Sequence, residues 1–253
     1  DNKAVWKIQA ALALIFLLNP FLGVLSTLFF VFVSKEKSMA FYLVIILTLF
    51  MWCLQSTRSF HLGEPSDWAG NYYYNFHNAA ITDTLTYLFF TTKEYAWQAF
   101  NLIGYYLFDG DFLSYANFIV ALTYMFTFAA IYKFWNYIQA DPRFLVASLC
   151  LFAFVTEVNG ICNNLLRQQF AMSMMLYAII ERCTNGRILY PLLVISFFTH
   201  TMTGFFIPFL FIRLGKKASF RFYIYIVLGF GLLYILFTNL SIFSSSSFYA
   251  FQR

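Results

Sequence analysis

The fold is decided by residues 58–94, RSFHLGEPSDWAGNYYYNFHNAAITDTLTYLFFTTKE, the one long polar interval in an otherwise apolar chain. The 253 residues are 61% hydrophobic and only 11% charged, whereas about a quarter of the residues of a soluble domain are charged. This composition predicts an all-α protein with several helices embedded in a membrane. The polar interval then lies at the membrane surface, between groups of membrane helices.

Apolar runs on both sides of the polar interval are long enough to form membrane helices. We predict spans at residues 8–33 (kinked at Asn19-Pro20), 39–55, 112–134, 144–158, 162–180 and 222–237. Residues 79–90 and 95–108 predict amphipathic helices at the interface, within an outer loop at 58–108. The alternative for these two segments is a tight hairpin of membrane spans. Residues 188–212, interrupted at His200, predict a segment that enters the membrane and returns. We expect one integral membrane domain over residues 1–253, truncated at both ends.

The distribution of basic residues predicts the orientation of the chain, because cytoplasmic loops are enriched in Lys and Arg. With Lys35 and Lys37 in the cytoplasm, ten of the 16 basic residues fall on that side: Lys35, Lys37, Lys133, Arg143, Arg182, Arg187, Arg213, Lys216, Lys217 and Arg221. Lys3 and Lys7 contradict this arrangement, since they fall outside. The polar interval, Glu157, the start of the span at 162–180 and His200 then share the outer face.

Arg167 is expected about one turn inside a membrane helix. An arginine at the centre of a span costs about 2.5–3.5 kcal/mol on insertion scales, so ionisable groups there are usually functional. Asn164, Arg167 and Gln168 share one helical face, and a guanidinium suits a phosphate or diphosphate. The structural alternative is an arginine that extends to the lipid headgroups or pairs with Glu157.

The aromatic part of the polar interval suits a carbohydrate. Trp68, Tyr72 and Tyr73 offer rings that stack on the apolar face of a sugar, and Asp67 offers a carboxylate that accepts a hydroxyl proton. The alternative for Asp67 is the N-cap of a short helix.

His200, between threonines in an apolar run, is a candidate general base, a phosphate donor or a structural helix breaker. Glu94 and Glu157 are candidates for a second acid or, by preference, for counter-ions of Arg58 and Arg167.

No cofactor and no metal are expected. The sequence has no phosphate-cradling glycine loop, nucleophile elbow or zincin pair. His61, Glu64, Asp67 and His77 match no metal-binding spacing. The net charge of +5 arises from inter-helix loops, so it does not indicate nucleic acid binding.

Three motifs resemble the EpsG family of bacterial polysaccharide polymerases, which is related to the Wzy O-antigen polymerases. They are Arg58 followed by Gly63, Asp67-Trp68 and Tyr72, then RQQFA at residues 167–171, and FTHTMT at residues 198–203. The resemblance implies a GT-C-like glycosyltransferase of the bacterial inner membrane, with its active site facing the periplasm. It would polymerise undecaprenyl-diphosphate-linked oligosaccharide repeat units into O-antigen, capsule or exopolysaccharide. The implied partners are the membrane lipid and the flippase and chain-length regulator of the same pathway, with no nucleic acid.

The expected catalytic residues are Asp67, His200 and Arg167, and the expected substrate-binding residues are Arg58, Trp68, Tyr72, Tyr73, Glu94, Glu157, Asn164 and Gln168. Arg167 with Arg58 would bind the donor diphosphate, and Asp67 or His200 would take the acceptor proton. Two other functions remain open. One is a membrane O-acyltransferase acting on polysaccharide, with His200 as base and Asn163 or Asn164 as its partner. The other is a glycolipid transporter.

Overall fold

The computed structural model describes residues 2–58, 67–81, 94–155 and 165–211, and these residues form helices and short connections without a strand. The helices are α1 (Asn2–Leu18), α2 (Pro20–Ser34), α3 (Ala40–Ser56), α4 (Tyr73–Ile81), α5 (Tyr95–Leu107), α6 (Phe112–Ile138), α7 (Pro142–Phe154), α8 (Leu166–Asn185) and α9 (Tyr190–Thr199). Short 3-10 helices span Lys37–Met39 and Thr201–Phe211, and a π-helical turn spans Trp68–Tyr72. Residues up to Leu210 form one compact unit; the structure describes only Phe211 of a second unit, Phe211–Arg253.

The core of the first unit is built around α6, which packs against α3 on one side and α8 on another. Leu43 and Leu47 of α3, Ile119 and Phe128 of α6 and Phe170 of α8 are almost completely buried there. Within the described residues, Lys37–Ser56 and Phe112–Ile138 are long and apolar enough to cross a membrane. The predicted all-α fold is therefore confirmed. The predicted spans at 39–55 and 112–134 correspond to α3 and α6, and α7 covers most of the run at 144–158. The predicted last span, 222–237, lies outside the described residues.

The prediction of one kinked span over residues 8–33 is wrong, because the chain reverses at Asn19. Asn19 adopts an extended conformation and caps α2 by accepting a hydrogen bond from the Leu22 amide at 3.1 Å. A Cβ atom at Gly23 would overlap the backbone of Phe16, so only glycine lets the two helices approach this closely. The Tyr42 hydroxyl of α3 donates to the Gln9 carbonyl at 2.9 Å, which holds α1 against the start of α3.

The reversal places the start of α1, with Lys7, at the end of the bundle where the basic loops meet. At that end Lys35 lies 3.6 Å from the Asp141 carboxylate, and the Lys37 ammonium donates to the Gln139 side chain at 2.9 Å. Arg143 donates to the Phe32 carbonyl at 3.3 Å. Lys3 and Lys7 were predicted to lie outside only because residues 8–33 were assumed to cross the membrane once. With a hairpin, the start of α1 lies on the same side as Lys35, in agreement with the charge rule.

The turn between α5 and α6 forms at Asp109-Gly110-Asp111. Asp109 and Gly110 have positive φ angles of 52° and 76°, and the Asp111 carboxylate accepts from the amides of Leu113 and Ser114 at 3.0 and 3.3 Å. Of the two helices expected at the interface, α5 matches residues 95–108. Most of the expected helix at 79–90 lies outside the described residues.

The segment around His200 forms a helical hairpin, as predicted. Helix α9 packs along α8, and the Ser196 hydroxyl of α9 donates a hydrogen bond to the Ala171 carbonyl of α8 at 2.7 Å. The helix breaks at His200, whose backbone is extended, and the chain then returns, because Arg182 donates to the Leu210 carbonyl at 2.9 Å. His200 therefore lies near the start of α8, and Leu210 lies near its end.

A glutamate shared by an arginine and a histidine

The candidate site centres on the carboxylate of Glu94, which contacts two side chains far apart in sequence. One oxygen, Oε1, lies 2.7 Å from Nδ1 of His200, and the other, Oε2, forms a salt bridge with Nη1 of Arg167. The side chain of Glu94 is only 13% exposed, that of His200 15% and that of Arg167 24%. Glu94 precedes α5, Arg167 starts α8 and His200 follows α9, so three connections meet at one end of the bundle.

The hydrogen bond to Glu94 fixes which nitrogen of His200 carries a proton. An ionised carboxylate only accepts hydrogen bonds, so Nδ1 must be the donor. In the neutral imidazole the other nitrogen, Nε2, then has a free lone pair. A histidine held in this tautomer by a carboxylate is equipped to take a proton from a substrate.

Arg167 is the second residue of α8, and not one turn inside a span as predicted. Its position at the helix end lowers the cost of holding a charge there. Its Nε is buried and makes no hydrogen bond in the part of the chain that the structure describes. Arg167 lies in the first turn of α8, where the partial positive charge of the helix amino terminus adds to that of the guanidinium. The site therefore retains capacity to bind an anion beside Glu94.

Trp68 and Arg58 pack together. The Arg58 guanidinium carbon lies 4.3 Å from the centroid of the Trp68 ring, a cation–π contact. Trp68 is fully buried and meets Phe112 edge to face, with the ring centroids 5.8 Å apart. The predicted stacking of Trp68 on a sugar is wrong, because this ring belongs to the core.

Tyr72 connects this aromatic cluster to the shared carboxylate. It is 5% exposed and packs edge to face on Trp97 at 5.8 Å. Burial raises the pKa of Tyr72; the charge and backbone amide of Arg167 oppose that rise, while Asp67 and Glu94 add to it. Tyr72 therefore lies within the electrostatic reach of all three charged groups, but its face is not open to stack on a sugar as predicted.

The sequence matches the EpsG family over residues 41–253. The chain belongs to the EpsG family. The resemblance carried by the three motifs is thus confirmed, and membership indicates a role for this membrane protein in polysaccharide biosynthesis. No curated protein and no solved structure matches the chain.

Within the EpsG match, the structure reveals an exposed polar face on the helix that follows Asp67. Tyr74 is 55% exposed, in contrast to half-buried Tyr73, whose ring lies 4.3 Å from His77. On the same face the Asn75 amide donates to the Asn71 side chain at 2.6 Å, and Asp67 is exposed. Tyr74 was not selected from the sequence, although helical spacing separates positions 67, 71, 74 and 78 from the apolar positions 68, 72, 76 and 79.

The remaining predicted residues have simpler placements. Gln168 is half-buried in the first turn of α8, beside Arg167. Glu157 and Asn164, together with Asn163, lie outside the described residues, so their predicted roles stay predictions. Across residues 2–58, 67–81, 94–155 and 165–211, no group of three His, Cys, Asp or Glu side chains is arranged to hold a metal ion.

Proposed function

We propose that this EpsG-family chain polymerises oligosaccharide repeat units carried on undecaprenyl diphosphate, producing O-antigen, capsule or exopolysaccharide. The growing chain is the donor, and a new lipid-linked unit is the acceptor. An acceptor hydroxyl oxygen bonds to the anomeric carbon of the donor sugar, and the bond from that carbon to the diphosphate breaks. Undecaprenyl diphosphate leaves with the bonding electrons, and the hydroxyl proton passes to a protein base.

The observation that carries this proposal is the shared contact of Glu94 with Arg167 and His200. It brings an anion-binding group and a proton acceptor to one place, which are the two groups that this reaction requires. Arg167, with the first amides of α8, holds the donor diphosphate and stabilises the negative charge that develops as it leaves. In this proposal the diphosphate competes with Glu94 for the guanidinium.

His200 is the proposed base, because Glu94 holds its ring in the tautomer whose Nε2 carries no proton. A positioned general base contributes about 10²- to 10⁴-fold to a rate. Asp67 is the second candidate, and its exposure on the polar face of the helix suits contact with the acceptor sugar instead. Arg58, seated on Trp68, adds positive charge near that helix.

The sugars themselves are proposed to lie on the exposed face that begins at Asp67. Tyr74 provides an accessible ring, and Asn71 and Asn75 provide amide donors and acceptors for hydroxyl groups. The proposed orientation puts this face in the periplasm and the end with Lys35 and Arg143 in the cytoplasm of the inner membrane. The flippase and the chain-length regulator of the pathway are the proposed partners there.

The test is Arg167→Ala in cells that lack the native gene. We expect loss of long polymer and accumulation of lipid-linked single repeat units, because the donor diphosphate loses its main charged contact. Arg143→Ala is the matched control, since Arg143 is exposed at the other end of the bundle. Long polymer at normal levels in the Arg167→Ala strain, with equal protein in the membrane, would reject the assignment.

A further inference from the structure

A cavity of about 210 Å³ lies between α6, α7, α8 and the 3-10 helix that follows His200. Its walls are mostly apolar and are formed by Tyr124, Phe152, Met172, Met175, Leu176 and Phe206, among others. The polar lining groups include the side chain of Gln169 and the hydroxyls of Thr127 and Ser173. The Thr127 hydroxyl donates to the Thr123 carbonyl and the Ser173 hydroxyl to the Phe170 carbonyl, so both are already hydrogen-bonded within their own helices.

The lining of the cavity follows one face of α8. It begins at Gln169, two residues after Arg167, and reaches Ile179. Ten residues of α-helix rise about 15 Å, so the lining residues cover about that length of α8. Met172, Leu176 and Ile179 are each partly exposed, which shows that this face of α8 is incompletely covered.

We propose that this groove binds the isoprenyl tail of the lipid-linked substrate, an assignment that rests on the proposed function. An isoprenoid is unsaturated and carries a methyl branch in every unit, so its outline is irregular. Met172 and Met175 have flexible, polarizable side chains that adapt to such an outline. The rings of Tyr124, Phe152 and Phe206 offer broad apolar surfaces to the branches and double bonds.

The start of α8 separates the two parts of the substrate. Arg167 and the groove lie on different sides of α8, and the groove begins at Gln169, within the first turn of the helix. A diphosphate over the helix end contacts Arg167 on one side, and its lipid passes Gln169 into the groove on the other. The head is held by charge and the tail by apolar contact, and the two contributions are separable by mutation.

The test fills the groove by Met172→Trp in the purified full chain, and measures binding of undecaprenyl diphosphate and of uncharged undecaprenol in detergent. We expect both lipids to bind at least about tenfold more weakly, because the tail is excluded. Met125→Trp is the control, since Met125 is 40% exposed and does not line the groove. Arg167→Ala should weaken binding of undecaprenyl diphosphate and leave that of undecaprenol unchanged.

Wild-type binding of both lipids by Met172→Trp would overturn the assignment, as would equal competition by phosphatidylglycerol, which would make the groove a general acyl-chain site. If Met172→Trp is not monodisperse on gel filtration, Leu176→Phe provides a smaller filling and the same comparison. The polymer assay separates this inference from the proposed function. If Arg167→Ala cells still make polymer while groove filling abolishes undecaprenol binding, the groove stands and the reaction assignment fails.

Discussion

Glu94→Gln separates the two proposed roles of the shared carboxylate. Arg167 and His200 contact different oxygens of Glu94, and a glutamine at this position keeps only one of the two as an acceptor, so in the present geometry it accepts from only one of these donors. The NH₂ group of the glutamine side chain would then face the other donor and could not accept from it. The substitution therefore releases part of the hold on the histidine tautomer and removes the negative charge that opposes a diphosphate at Arg167.

The two effects change kcat/KM in opposite directions, because the first lowers kcat and the second lowers KM. Losing part of the orientation of His200 should lower kcat, with an upper limit of about 10²- to 10⁴-fold, the usual contribution of a positioned general base. Two unit charges about 4 Å apart attract by about 4 kcal/mol at an effective dielectric constant of about 20. Because Arg167 is 24% exposed, hydration of the freed guanidinium offsets most of that attraction. A net gain of about 1.4 kcal/mol would lower the KM for the lipid-linked donor about tenfold.

The assay is polymerisation of purified lipid-linked repeat units by the chain reconstituted in liposomes, followed by gel analysis of product length. Glu36→Gln is the matched control, because Glu36 is exposed and caps only the short helix at Lys37. An unchanged kcat in Glu94→Gln would refute the orientation of His200 by Glu94. A raised KM at unchanged kcat would instead mean that Glu94 binds the substrate directly.

Three further substitutions test the fold and the sugar face. Gly23→Ala should destabilise the chain by about 1–3 kcal/mol, because its Cβ overlaps Phe16, whereas Gly70→Ala meets open space; thermal melts in detergent compare them. Tyr74→Ala should shorten the polymer in cells while Tyr106→Ala, also an exposed tyrosine, does not; equal polymer in both would remove Tyr74 from the sugar face. Asp111→Ala should cost about 1 kcal/mol of stability through loss of the α6 cap. Hydrogen bonding, chiefly from Ser114, lowers the pKa of Asp111 below 3.8, so this stabilisation is present above that pH and is lost as the pH falls through the folded-state value. Thermal melts of the wild type and of Asp111→Asn at about pH 6 and about pH 3 test this, because the stability advantage of the wild type should shrink as the pH falls.

The sequence predicted those parts of the fold that depend on local pattern. The helices α3 and α6 follow from uninterrupted apolar runs, and the turn at Asp109-Gly110 follows from residues that tolerate positive φ. The reversal at Asn19 was missed, because an Asn-Pro pair permits either a kink or a turn. The close approach of Gly23 to Phe16 is what selects the turn, and it is a contact between two helices.

The candidate site was predictable as a list of residues and not as an arrangement. Arg167 and His200 were recognised because charged and ionisable groups are rare in apolar segments. Their common partner Glu94 was expected as a second acid, a substrate-binding residue or, by preference, a counter-ion. Its contact with both side chains was not expected, since nothing local indicates which groups three separate connections bring together. Trp68 and Tyr72 were misassigned for a related reason. Aromatic residues serve equally in a core and on a sugar platform, and burial alone distinguishes them.

The hairpin of α1 and α2 makes a topology prediction that a single kinked span does not. In a chain whose native cysteines are replaced, Asn71→Cys should react with a membrane-impermeant maleimide added from the periplasmic side, and Gln139→Cys should not, since it lies among the basic residues. Ala4→Cys, exposed near the start of α1, decides between the two arrangements. The hairpin returns the chain to the side on which it began, so Ala4→Cys should be protected, as Gln139→Cys is, until the membrane is permeabilised. A single span would leave it reactive from the periplasm. Labelling of Gln139→Cys but not of Asn71→Cys would show the opposite orientation, and it would exclude a lipid-linked donor on the periplasmic side.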